Sequence, residues 1–131
     1  MKTTNLYLIG HILGPIGGTA DYDQGWEKFK DVNGNNEQSL KKIFQEEILP
    51  YFITRGRNYK EQFKDTLAYY LSTDRADFSY EFEACLIAFD PPDEPKSFYI
   101  WLWEVLFPND SYKINDEQEF LENYSIIPPS D

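Results

Sequence analysis

"DPPDEPKSFYIWLWEVLFPND", residues 90–110, contains a run from Phe98 to Phe107 in which only Glu104 is charged. A membrane span would need about 20 apolar residues, and Pro95 and Pro108 bracket this run too closely for it to be extended. As a strand, the run would place Glu104 on one face with Phe98, Ile100, Leu102 and Leu106. That would bury a carboxylate at a cost of several kcal/mol unless it were paired. As a helix, the run sets Phe98, Trp101, Leu102, Val105 and Leu106 at helical spacing and lets Glu104 reach the edge. Asp93 then offers an N-cap, with Glu94 and Pro95 in the first turn, where a negative charge and a missing N–H are tolerated. Trp101 and Trp103 stand roughly 200° apart on such a helix, so only one of them can face the core squarely. The run is read as a helix of the core.

The same spacing test, carried outward, predicts a helical chain. A helix from about Asn36 to Thr54 buries Leu40, Ile43, Phe44, Ile48 and Leu49 and turns Glu46 and Glu47 away, with a kink or an end expected at Pro50. A second helix from about Asn58 to Leu71 carries the stripe Tyr59, Phe63, Leu67, Tyr70 and Leu71. Asp21 or Asp23 begins a short helix over 21–31, and another is expected from Asp116 to Tyr124. Residues 74–89 alternate like a strand in "DFSYEFEA", yet Phe78, Phe82, Cys85, Leu86 and Phe89 also recur as in a helix. Ala84, Ala88 and an available cap at Ser72 or Thr73 favour the helix. "LYLIGHIL", 6–13, is apolar on both faces and fits either a buried strand or a short helix. The expected fold is therefore a mainly α single-domain helical bundle over 1–131. The alternative is an α+β fold with a short antiparallel sheet from 6–13, 78–89 and 98–107.

A chain of 131 residues suits one domain and can bury a substantial core. Aromatic residues at 18% exclude a disordered acidic tail. The opening "MKTTNLYLIG" has one Lys and a short, broken apolar run, so no secretory leader is expected. Cys85 is the only cysteine. The expected setting is therefore the reducing cytoplasm, with no membrane association.

Charge divides the chain. Residues 1–60 hold 8 Lys or Arg against 7 Asp or Glu, a net of +1, whereas residues 61–131 hold 4 against 16, a net of −12. Such a field repels nucleic acid and steers basic partners in. Between Asp65 and Glu94 the acids are opposed by Arg75 alone. Of these acids, Asp74, Asp77, Glu81, Glu83, Asp90, Asp93 and Glu94 are the candidate partner-binding residues. Carboxylates set among Tyr and Trp suit a protein interface, where aromatics anchor and charges steer.

Chemistry finds little to build on. His11 is the only histidine, so no zinc-type ligand set exists, and "DYDQGWEKFKDV" lacks the spacing of a calcium loop. "GPIGGTADYD" has neither the Lys-Ser/Thr of a phosphate-binding loop nor a dinucleotide fingerprint. There is no G-x-S-x-G, and His11 and Cys85 read as packing residues rather than a catalytic pair. No catalytic residue, metal site or cofactor is assigned, and the chain is not expected to be an enzyme.

The block "FEACLIAFDPPDEPKSFYIWLWEVLFP", 82–108, in a short, acidic, aromatic-rich chain, resembles helical immunity proteins of bacterial polymorphic and contact-dependent toxin systems. The resemblance implies a helical fold and a tight complex with one cognate toxin, commonly a basic nuclease whose active-site cleft is blocked. It transfers no individual residue. Two other readings stay open: a DNA-mimic or regulatory inhibitor of a nucleic-acid-binding protein, and a small enzyme whose site has no familiar pattern.

Overall fold

β-branched Thr3 and Thr4 open the fold as a strand, β1 (Lys2–Asn5). The computed structural model describes residues 2–16, 31–73, 78, 92–116 and 119–123. Asn5 ends the strand: its side-chain oxygen accepts the Tyr7 N–H at 3.2 Å, turning the chain into α1 (Tyr7–His11). A 3-10 turn, Gly14–Ile16, follows. The "LYLIGHIL" segment is thus helix and turn, and its two apolar faces are used. Leu8, Ile9, Ile12 and Leu13 are all fully buried.

α2 (Glu37–Ile43) starts where Asn36 accepts the Ser39 N–H at 3.0 Å, satisfying one of the donors a helix start leaves open. Pro50 does not end this helix. The chain widens through a π-helical turn, Phe44–Ile48, in which the Leu49 N–H reaches back five residues to the Phe44 carbonyl. It then continues as α3 (Leu49–Ile53) with Pro50 in the first turn. Proline lacks an N–H and crowds the carbonyl four residues earlier. The wide turn just before it accommodates the ring without breaking the helical path.

α4 (Arg57–Ser72) matches the predicted stripe, with Tyr59, Phe63, Leu67, Tyr70 and Leu71 buried. It also buries Thr66, whose hydroxyl accepts the Asn5 N–H at 2.8 Å and donates to the Gln62 carbonyl at 2.6 Å. That side chain fixes β1 against the helix and satisfies its own polar group there.

α5 (Pro95–Leu106) is the run on which the fold reading turned, and it is a helix. Its cap is Glu94, not the predicted Asp93. The Asp93 N–H is engaged by the Asn35 side chain at 2.8 Å, which places Asp93 one residue ahead of the turn, and Pro95 takes the first helical position. Phe98 and Leu102 are fully buried, Phe98 edge-on to Phe44 at 4.9 Å. Phe78 is also buried, with its ring 4.8 Å from that of Tyr99. Of Trp101 and Trp103, Trp103 is the buried one. Its indole N–H finds the Asp110 carbonyl at 2.8 Å and its ring packs 4.5 Å from Phe107, while Trp101 is half-buried. Glu104 reaches the surface and pairs with Lys41 of α2 at 2.7 Å.

The helix predicted over 116–124 is overturned. Phe120–Asn123 forms β2, parallel to β1 with Lys2 opposite Phe120 and Asn5 opposite Asn123. Phe120 turns inward onto Tyr69, with ring centroids 5.2 Å apart, and Leu121 turns outward. This is the two-residue alternation of a strand, imposed by a hydrogen-bonding partner at the other end of the sequence. The fold is mainly α, as expected, with a two-stranded parallel sheet in place of the antiparallel alternative. The segments 6–13 and 98–107 of that alternative are not strands. The third, 78–89, lies outside the described residues except for Phe78, as does the helix predicted over 21–31 except for Asp31. Buried side chains from α1 through β2 form one hydrophobic cluster. Among the described residues no helix is long and apolar enough to cross a membrane.

Candidate interaction surface

Of the seven candidate partner-binding acids, the structure describes Asp93 and Glu94. Both are exposed, side by side where the chain enters α5. Asp74, Asp77, Glu81, Glu83 and Asp90 lie outside the described residues, as does Cys85. Neither Asp93 nor Glu94 forms an ion pair with a described residue; Glu94 accepts a long hydrogen bond from the Ser97 hydroxyl at 3.4 Å.

Several other acids are spent within the fold. Glu37 and Glu104 share Lys41, Glu61 holds Arg57 at 2.8 Å, and Asp110 holds Lys64 at 2.6 Å. These exposed pairs are each worth about 0–1 kcal/mol. Their larger effect is on the field: they cancel charge locally, whereas Asp93 and Glu94 present theirs to solvent. Two adjacent carboxylates without a cation attract a basic surface, and salt screens that attraction over about 8 Å at physiological ionic strength.

A second cluster was not read from the sequence. α1, α3 and the start of α4 gather three tyrosines around His11. The rings of Tyr7 and Tyr59 lie 5.5 Å away and that of Tyr51 6.5 Å. His11 Nδ1 and the Tyr59 hydroxyl share a hydrogen bond of 2.8 Å. The Arg55 guanidinium stacks 4.4 Å above the Tyr51 ring, and its Nε is buried without a hydrogen-bond partner. Burial, and secondarily the positive charge of Arg55, hold His11 below its ordinary value. The imidazole is therefore neutral at neutral pH, as suits a ring lodged among aromatics. Tyr51, Arg55 and Tyr59 recur every four residues, and that spacing is the signal that would have found them. Among the described residues no group of three or more His, Cys, Asp or Glu is placed to hold a metal ion.

The lowered value gives a sign to the pH response. The native chain binds the His11 proton less tightly than the unfolded chain, so stability from the neutral ring is complete above about 6.5 and is lost as pH falls through the folded value. Denaturant midpoints measured across this range should fall with pH in the wild type and flatten in His11→Gln. An identical pH profile in both proteins would remove His11 as the source.

Comparison with protein-family models, curated proteins and solved structures returned no match.

Proposed function

We propose that the chain is an immunity-type inhibitor: it binds a basic protein, most simply a nuclease toxin acting in the same cytoplasm, and blocks its active-site cleft. The observation that carries this reading is the partition of charge. Residues 61–131 carry a net of −12, and within them Asp93 and Glu94 are exposed and form no ion pair with a described residue. A nuclease cleft is lined by lysines and arginines that hold phosphates. Exposed carboxylates such as Asp93 and Glu94 can occupy the same cations and accelerate encounter by long-range attraction.

The test is stoichiometric inhibition. A basic nuclease recovered with the chain from its native cell should lose activity at one equivalent, with an association rate that falls steeply as salt rises. A captured partner without catalytic activity, whose nucleic-acid binding is displaced instead, would favour the regulatory-inhibitor reading. Turnover of a substrate by the chain itself would replace both.

A further inference from the structure

A cleft of about 150 Å³ opens between β1, α4, α5 and the segment leading into β2. Its lining brings together groups distant in sequence: Lys2, Asp65 and Lys113, with Glu119 beside them and Trp103 and Phe120 as apolar wall. The acidic half of the chain has four bases, Lys64, Arg75, Lys96 and Lys113, and two of these line this one cleft. Lys64 is neutralised by Asp110 at 2.6 Å. Lys2 lies over the Phe120 ring at 5.5 Å, and neither Lys2 nor Lys113 has a carboxylate within salt-bridge distance among the described residues. Asp65 is the complementary oddity. It is half-buried, makes no hydrogen bond or ion pair with a described residue, and burial pushes its carboxyl above the ordinary range against the opposing pull of Lys2. A half-buried carboxylate without a described partner is partly desolvated, and a cleft that retains one is a candidate for ligand binding.

We propose that this cleft binds a small free α-amino acid, its carboxylate held by Lys2 and Lys113 and its ammonium by Asp65. The size fits: a cavity of roughly this volume holds a benzene-sized molecule, the scale of alanine or serine. The charge pattern selects both ends. A plain carboxylate meets Asp65 and a plain amine meets the two lysines, so each leaves a like charge unanswered. The zwitterion satisfies all three. This site is independent of the partner surface, and its failure would leave the inhibitor reading untouched.

Glycine, L-alanine and L-serine are the probes, titrated by calorimetry and followed through the Trp103 indole resonance. One of them should bind saturably at one site. Propionate and ethylamine, each missing one charge, should bind at least about tenfold more weakly, as expected for loss of a charge-assisted contact. Asp65→Asn and Lys113→Ala should each weaken binding by a similar factor. Both changes are at residues outside the main hydrophobic cluster, so an unaltered indole spectrum without ligand verifies folding. Absence of saturation by all three amino acids up to about 10 mM, a weak affinity even for small ligands, overturns the proposal. Propionate matching alanine, with binding tightened by Asp65→Asn, overturns it in favour of a simple anion site.

Discussion

Replacing Phe98 by alanine is expected to destabilise the chain by about 3–5 kcal/mol, a large share of the roughly 5–15 kcal/mol that holds a domain folded. Phe98 is fully buried, edge-on to Phe44 and 5.2 Å from the Tyr99 ring. Truncation therefore removes aromatic pairing as well as burial and leaves a void between α2 and α5. Leu102→Ala should cost about 2–5 kcal/mol by the same reasoning. Trp101→Ala should cost clearly less than either, because Trp101 is half-buried and the core tryptophan is Trp103. Urea melts of the three variants give the ordering directly. A Phe98→Ala midpoint equal to wild type would mean that α5 does not form the core contact described here.

The second large effect is kinetic. Changing Asp74, Asp77, Glu81 and Asp93 to Lys moves the net charge from −11 to −3, each reversal adding two. Association with a basic partner should slow by about 10- to 100-fold at low salt, within the range that electrostatic steering spans. The remaining rate should depend much less on ionic strength. Asp93 is exposed and forms no ion pair with a described residue, so its own reversal should change stability by no more than about 0.5 kcal/mol. Stopped-flow association at two salt concentrations separates the outcomes. An unchanged rate with an unchanged salt slope would reduce these acids to solvated surface.

How far the sequence could be read depended on the range of the interaction that decides each element. α4 and α5 were legible because their spacing is local and the position of Glu104 discriminates helix from strand within a single run. The start of α2 was legible at Asn36 for the same reason. At Pro50 an irregularity was legible but not its form, because the relief of the clash lies in the turn before it, and an apolar stripe does not register one extra residue in a helical turn. Phe120–Asn123 could not be recognised as a strand, since its partner is β1. The choice between Trp101 and Trp103 also waited on a group beyond the helix, the Asp110 carbonyl seven residues on. Among the site residues, charge alone foretold that Asp93 and Glu94 would be exposed. Lys2, Asp65 and Lys113 carry no shared pattern in the sequence, and only the packing of β1 on α4 brings them to one cleft.

The pairing of β1 with β2 also sets a schedule. Thr4 and Leu121, joined by a 3.5 Å contact from hydroxyl to carbonyl, are 117 positions apart. Emerging from a ribosome at about 5–20 residues per second, β1 has no strand neighbour among the described residues until β2 has been made. The helices need not wait, because their bonds are local. β1 is held meanwhile only by what α4 offers it, chiefly the Thr66 hydroxyl. Closing so long a loop adds little free-energy cost beyond that of a shorter one, since the penalty grows only logarithmically, but contacts of this span slow the search for the native state. The sheet is thus a latch that waits for β2, and a nascent chain halted before Phe120 would leave the Lys2–Asn5 edge open to pairing with a neighbour.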